Sequence, residues 1–272
     1  MKERNKVLYI SQEIAPYLPE TPMSVAGRTL PQSAQENGYE VRTFMPKYGS
    51  INERRNQLHE VIRLSGMNVV IDDTDHPLII KVATLQPTRM QVYFIDNDDY
   101  FQFSPDKILE IVSSPEDNDE RIMFFARGVI ETVRKLRWNP AIIHCLGWTS
   151  ALVPLYLKYA YPDDPTFSKS KIVYALRDED FDYTLNERFL EKLEADQFDG
   201  EMLKSISDGP VDFIKLNKLA IDHSDAIVQS TANVNPELME YARQSGKPIL
   251  EFIPDETEFL NKYAEFYETL ID

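Results

Sequence analysis

The residues of this 272-residue chain whose types could support chemistry fall into three groups. The first is the run His144-Cys145-Leu146-Gly147-Trp148-Thr149. An imidazole there could act as acid, base or hydrogen-bonding group, and an indole could stack on a sugar face. Against this stands a plainer reading: a histidine hydrogen-bonded at the end of a buried strand, with no partner carboxylate apparent, and a tryptophan packed between helix and sheet. Cys145 would need a neighbouring base and a depressed pKa to act as a nucleophile, and a buried spectator is the expectation. The second group comprises the acidic clusters Asp96-Asp98-Asp99, Glu116-Asp117-Asp119-Glu120 and Asp178-Glu179-Asp180-Asp182. They are rich in hard-cation ligands, yet none has the calcium-loop spacing with its central glycine, so solvated loops and no metal are expected. Asp178 and Asp180 are the best candidates, because they follow a predicted parallel strand, where open α/β sheets bind ligands. The third is a proline-rich loop holding Tyr17, Pro19, Thr21 and Pro22.

The composition narrows the partners. Forty-five acidic against 29 basic side chains give a formal charge of -16, which repels phosphate backbones and anionic headgroups, so neither nucleic acid nor a membrane is an expected partner. With 43% hydrophobic and 27% charged residues the chain has the make-up of a compact globular protein, one large domain over residues 1–272 being the default. One cysteine excludes an internal disulfide and a multi-thiolate metal site. The charged start Met1-Lys2-Glu3-Arg4-Asn5-Lys6 has no signal-peptide core, and the chain has no long apolar run, so a cytoplasmic location is expected by elimination.

Positioning these residues requires an alternation of strands and helices. Val7 to Ile10 reads as a strand, Ser24 to Gln35 as a helix stopped by Gly38, and Glu40 to Met45 as the next strand. This spacing suits a right-handed crossover in a parallel sheet. Residues 58–85 read as a β-hairpin excursion, with Val69-Val70-Ile71 and Leu78-Ile79-Ile80 flanking a turn at Asp72-Asp73-Thr74-Asp75. Strands follow at Met90 to Ile95, Ala141 to His144, Lys171 to Leu176, Ala226 to Val228 and Pro248 to Ile253. Between Ser113 and Glu120 a polar segment leads into a helix whose Ile122, Phe125, Val129, Val133 and Leu136 share a face. Further helices are expected at Thr149 to Tyr159, Leu185 to Ala195, Val211 to Ile221 and Pro236 to Gln244. A final helix near 256–270 sets Phe259, Tyr263, Phe266 and Leu270 on one face, with Leu260 and Tyr267 beside it; it either docks on the body or meets another chain. The predicted fold is α/β: an open, mostly parallel, Rossmann-like sheet with helices on both faces and a β-hairpin insertion.

Several segments in register resemble the glycogen and starch synthases of the GT-B glycosyltransferase class. These are Glu13-Ile14-Ala15-Pro16-Tyr17, Leu30-Pro31, Gly38-Tyr39-Glu40-Val41-Arg42, Pro46-Lys47-Tyr48, Tyr93-Phe94-Ile95-Asp96-Asn97 with Tyr100-Phe101, and Asp119-Glu120-Arg121 with Phe125. Trp138-Asn139-Pro140 with Ile142-Ile143-His144, Trp148-Thr149 with Leu152 and Pro154, Phe213-Ile214-Lys215, and Ser224 to Thr231 continue the match. The resemblance implies the N-terminal half of a GT-B fold. It also implies a family activity of glucosyl transfer from ADP-glucose or UDP-glucose to an α-1,4-glucan, with the acceptor lying along the N-terminal domain.

The departures from the family pattern fall at its chemistry. Where the family carries a lysine and a glycine pair beside the donor, this chain has Pro19, Thr21 and Pro22; a proline offers no amide hydrogen to a phosphate. The histidine-rich motif keeps His144 and Trp148 only, and the Thr-Ile-His-Asn segment reads Ala175-Leu176-Arg177-Asp178. The resemblance therefore implies a pseudoenzyme with no confidently assigned catalytic residue, no cofactor and no metal. His144, Trp148, Tyr17, Asp178 and Asp180 are its candidate glycan-binding residues, and an α-glucan or a carbohydrate-enzyme partner is its expected ligand. Two alternatives stand beside it: a transferase subunit completed by a separate donor domain, and an interaction protein, fixed to a partner or forming a homo-oligomer.

Overall fold

Short runs of β-branched and aromatic residues alternate with amphipathic stretches along the chain, and they fold into one ten-stranded sheet flanked by helices. The computed structural model describes residues 4–102 and 115–271. The charged start at Met1-Lys2-Glu3 and the beginning of the acidic segment at Ser113-Ser114 lie outside the described residues. In chain order the strands are β1 (Lys6–Ser11), β2 (Glu40–Pro46), β3 (His59–Glu60), β4 (Met67–Ile71), β5 (Thr74–Leu85), β6 (Met90–Asp96), β7 (Ile142–Leu146), β8 (Lys171–Leu176), β9 (Ala226–Gln229) and β10 (Ile249–Leu250). The helices are α1 (Pro22–Glu36), α2 (Asp98–Phe101), α3 (Asn118–Leu136), α4 (Val153–Tyr159), α5 (Phe189–Ala195), α6 (Phe213–His223), α7 (Pro236–Gln244) and α8 (Glu256–Ile271).

The strand order is β10-β9-β8-β7-β1-β2-β6-β5-β3, parallel from β10 through β6 and antiparallel at β5 and β3. From β1 the chain first winds outward through β2 to β6, then returns to β7 on the other side of β1 and winds outward to β10. The reversal falls between β1 and β7, so the crevice outside their carboxyl ends is where this architecture places ligands. Tyr9 of β1 and His144 of β7 are register partners and face α8, which with α1 covers one side of the sheet. The opposite side carries α3, set close to β6 and β5: a Cβ at Gly128 would lie 3.0 Å from Ile95 and 3.1 Å from Leu78.

Several expectations are corrected in detail. The 58–85 region is more than an excursion. Its hairpin turns at two residues, Asp72 and Asp73, with φ of 45° and 62°, the conformation that matches strand twist in a tight hairpin. β5 then runs on beside β6 as the antiparallel edge of the main sheet. The helix expected from Thr149 begins at Val153 after a 3-10 turn over Trp148–Ser150, because Pro154 fits only a first turn. The helix expected from Leu185 begins at Phe189, the Leu185 amide being held instead by the Val211 carbonyl at 2.8 Å. The last strand shortens to Ile249–Leu250 as the chain leaves the sheet edge toward Pro254. Two acidic clusters expected to be solvated send residues inward: Asp96 pairs with Lys81 at 2.8 Å and Asp119 with Lys192 at 2.7 Å, since a buried carboxylate requires a partner.

The terminal helix docks on the body. Its buried stripe is Phe259, Tyr263 and Tyr267, a strict four-residue spacing, whereas Phe266 and Leu270 sit half-buried at the flank. The Tyr267 hydroxyl lies 3.1 Å from that of Tyr9 and 2.8 Å from His144 Nδ1, and Tyr263 lies 3.1 Å from Ser230 Oγ. These three rings and α1 cover this face of the sheet.

Candidate functional site

The crevice at the reversal is built from three strand ends: Ser11-Gln12-Glu13 after β1, Gly147-Trp148-Thr149 after β7, and Arg177-Asp178-Glu179-Asp180 after β8. The loop after β1 leads straight into α1, and its polar groups are consumed in starting that helix. Thr21 and Ser24 form a reciprocal capping box, each amide donating to the other's hydroxyl at 2.9 Å. The Thr21 hydroxyl donates to Glu13 Oε2 at 2.5 Å, and the Val25 amide donates to the Thr21 carbonyl. Pro19 and Pro22 have no amide hydrogen. Of the amides from Pro19 to Pro22, Thr21's is spent in the box and only Glu20's is left, next to its own exposed carboxylate and that of Glu13.

Across the crevice the Glu179 carboxylate accepts from Gln12 Nε2 at 3.1 Å and from the Trp148 amide. Desolvation, reinforced by Glu13 and Asp178 and opposed by Arg177, pushes its pKa up to about 7. Gly147 makes this fit: its φ is +81°, and a Cβ there would stand 2.5 Å from Met23 Cε and 2.8 Å from Glu179 Oε2. Gln12 Oε1 and Thr149 Oγ1 are buried without a hydrogen-bond partner in this same corner. The lip is thus acidic and rich in acceptors. It suits a neutral polyol, whose hydroxyls donate to carboxylates, and opposes a diphosphate.

The sequence candidates divide between interior and surface. His144 is fully buried; its ring packs against Tyr9 and Tyr263, and burial pushes its pKa down to about 3. Trp148 is 2% exposed and meets Phe181 edge-on at 5.1 Å. Tyr17 is buried against Phe94 in the same manner at 4.9 Å. None of these three rings presents a face to the crevice. Asp178 and Asp180 are exposed at its rim, Pro19 and Pro22 are exposed, and Thr21 is half-buried. Cys145 is buried, and its thiol is pushed well up by desolvation. The sequence reading included Glu179 only as a member of the acidic cluster after β8 and did not single out Gln12, Glu13 or Arg177 as site residues. Their positions at strand ends were the available signal, since three loops distant in sequence converge there. Among the described residues no three His, Cys, Asp or Glu side chains converge as metal ligands, and no helix is long and apolar enough to cross a membrane.

Residues 6–248 match the family model of the starch synthase catalytic domain. Glycogen synthase from Chlorobium phaeovibrioides is 32% identical over 244 residues, covering 88% of this chain and 48% of that protein. Glycogen synthase from Chlorobium limicola is 40% identical over 177 residues, covering 64% of this chain and 36% of that protein. The chain therefore spans about half the length, or less, of these curated relatives. The solved catalytic domain of starch synthase IV from Arabidopsis thaliana, bound to ADP and acarbose, superposes with a TM-score of 0.72 at 18% identity, covering 92% of this chain and 52% of that one. Its arrangement identifies the fold as GT-B.

Proposed function

The chain belongs to the starch synthase catalytic domain family, and from that premise we propose that it serves the acceptor side of the family's chemistry, binding an α-1,4-glucan and transferring no glucose on its own. The observation that carries this reading is the closed turn between β1 and α1. Amides are absent at Pro19 and Pro22 and spent at Thr21 and Ser24, and the one that remains, at Glu20, sits beside the Glu20 and Glu13 carboxylates, which oppose a sugar nucleotide. The same carboxylates suit glucan hydroxyls. Asp178 and Asp180 are exposed for direct contact, with Glu179 and Gln12 behind them. Because His144, Trp148 and Tyr17 are buried, recognition runs through hydrogen bonds at the rim rather than ring stacking.

Calorimetric titration with maltoheptaose and, separately, with ADP-glucose tests this. Heat with maltoheptaose alone, weakened about 3- to 10-fold by Asp178→Ala with Asp180→Ala, is the expected result. Heat with ADP-glucose would show the donor site to be intact, and silence with maltoheptaose would remove the acceptor role. A second reading, a transferase subunit acting with a donor-binding polypeptide, is supported by the match of residues 6–248 to the starch synthase catalytic domain. It predicts glucosyl incorporation into glucan only when such a polypeptide is added.

A further inference from the structure

Beside the acidic lip, on the face shared by α1 and α8, lies a separate pocket of about 260 Å³. Arg177 reaches into it from the end of β8, Ser230 and Thr231 from the end of β9, and Tyr263 from α8. Apolar side chains make the walls: Val25, Ala26 and Leu30 of α1 face Phe252, Ile253 and Phe259. The match to the family model ends at residue 248, so the Phe252–Tyr263 side of the pocket lies beyond the shared family region.

Arg177 is 6% exposed, yet among the described residues its guanidinium makes no hydrogen bond and no ion pair, and its Nε is buried without a partner. Glu179 influences it only at longer range. A buried Nε–H with no acceptor is costly, and the rest of the guanidinium has no protein acceptor among the described residues. The neighbouring hydroxyls also retain donors. Thr231 Oγ1 accepts from the Asp178 amide at 3.0 Å, leaving its own hydrogen to give. Ser230 and Tyr263 share one hydrogen bond at 3.1 Å, leaving one hydroxyl hydrogen between them. The first turns of α1 and α8 both open on the pocket through Pro22 and Glu256, adding the positive ends of two helix dipoles. The exposed Glu256 carboxylate at the rim opposes more than one negative charge.

We infer that this pocket is a binding site for a small organic acid, its single carboxylate taken by Arg177 with the Ser230 and Thr231 hydroxyls and its apolar body held between α1 and α8. One guanidinium fork matches one carboxylate, and the mainly apolar walls require a body that water does not claim. The site adjoins the glucan rim, since Thr231 holds the Asp178 amide and Arg177 acts on Glu179.

The test is calorimetric titration of the full chain with phenylacetate and octanoate, with inorganic phosphate as the comparison anion. Saturable one-site binding of at least one acid is expected, weakened about 10- to 100-fold in Arg177→Met. Its melting temperature reports whether the variant keeps the fold. Val25→Trp fills the mouth from a position 38% exposed in the parent and leaves Arg177 in place; it should weaken binding equally and decides the point if Arg177→Met folds poorly. No saturable binding of either acid, binding indifferent to Val25→Trp, or tighter binding of inorganic phosphate than of both acids would each overturn the inference.

Discussion

Replacing Glu179 by glutamine isolates the electrostatics of the crevice. The carboxyl of Glu179 is raised from its ordinary 4.5 to about 7, chiefly by desolvation. A carboxyl raised on folding stabilises the fold fully below its unfolded pKa and loses that contribution as pH rises through the folded value, here between pH 4.5 and about 7. At about 1.4 kcal/mol per pH unit the loss approaches roughly 3 kcal/mol for a fully buried group. Glu179 is partly reached by solvent, so about 1–2 kcal/mol is the working figure. Glutamine keeps an oxygen for Gln12 Nε2 and the Trp148 amide and carries no charge against Glu13. Glu179→Gln should therefore match the parent near pH 4.5 and exceed it by about 1–2 kcal/mol at pH 8, measured by urea unfolding at both pH values. His144 runs the other way: depressed to about 3, it stabilises above pH 6.5 and loses that contribution as pH falls toward 3. The parent alone thus shows a mixed profile, and the difference between variant and parent is the quantity to read. A difference that stays flat between pH 4.5 and 8, or a variant weaker than the parent at pH 8, would refute the reasoning.

Three further substitutions or reactions probe the same architecture. Tyr267→Phe removes the hydroxyl shared by Tyr9 and His144 Nδ1; because His144 Nε2 already lacks a partner, both ring nitrogens would be orphaned, at about 1–3 kcal/mol in urea unfolding. Gly147→Ala forces a side chain onto a φ of +81° and into Met23 and Glu179, and a loss of at least about 1–3 kcal/mol is expected from the melting curve. Cys145 is buried with its thiol shifted upward, so the native protein should show negligible reaction with an aromatic disulfide reagent and release one equivalent of chromophore after unfolding.

Much of the fold was legible where boundaries carry their own chemistry. β8 occupies Lys171–Leu176 and α7 occupies Pro236–Gln244, as read from the sequence, the latter because Asn235 caps it and Pro236 suits its first turn. The altered turn after β1 was legible too, since prolines announce missing amides. What escaped depends on partners far along the chain. His144 meets Tyr267 across 123 positions, and the buried stripe of α8 is phased by the sheet beneath it rather than by its own pattern. Asp96 and Asp119 looked like members of solvated clusters; Lys81 and Lys192 draw them inward. Glu179 looked like one acid among several, and its raised pKa arises only when the ends of β1, β7 and β8 converge.

The carboxyl edge of the sheet thus carries two environments of opposite sign, set by neighbouring positions on one loop. Asp178, Glu179 and Asp180 turn toward the crevice beside Glu13, whereas Arg177 lies on the α1–α8 side with the β9 hydroxyls. They lie on the loop after β8, whose last strand residue is Leu176. This one loop carries carboxylates at the crevice and the Arg177 guanidinium at the pocket. α8 makes the second environment while covering Tyr9 and His144, so the contacts that keep the sheet dry also shape the pocket. The pocket and the rim share one loop, so Val25, which touches neither Asp178 nor Glu179 by any hydrogen bond among the described residues, is the position that alters the pocket with least effect on the rim.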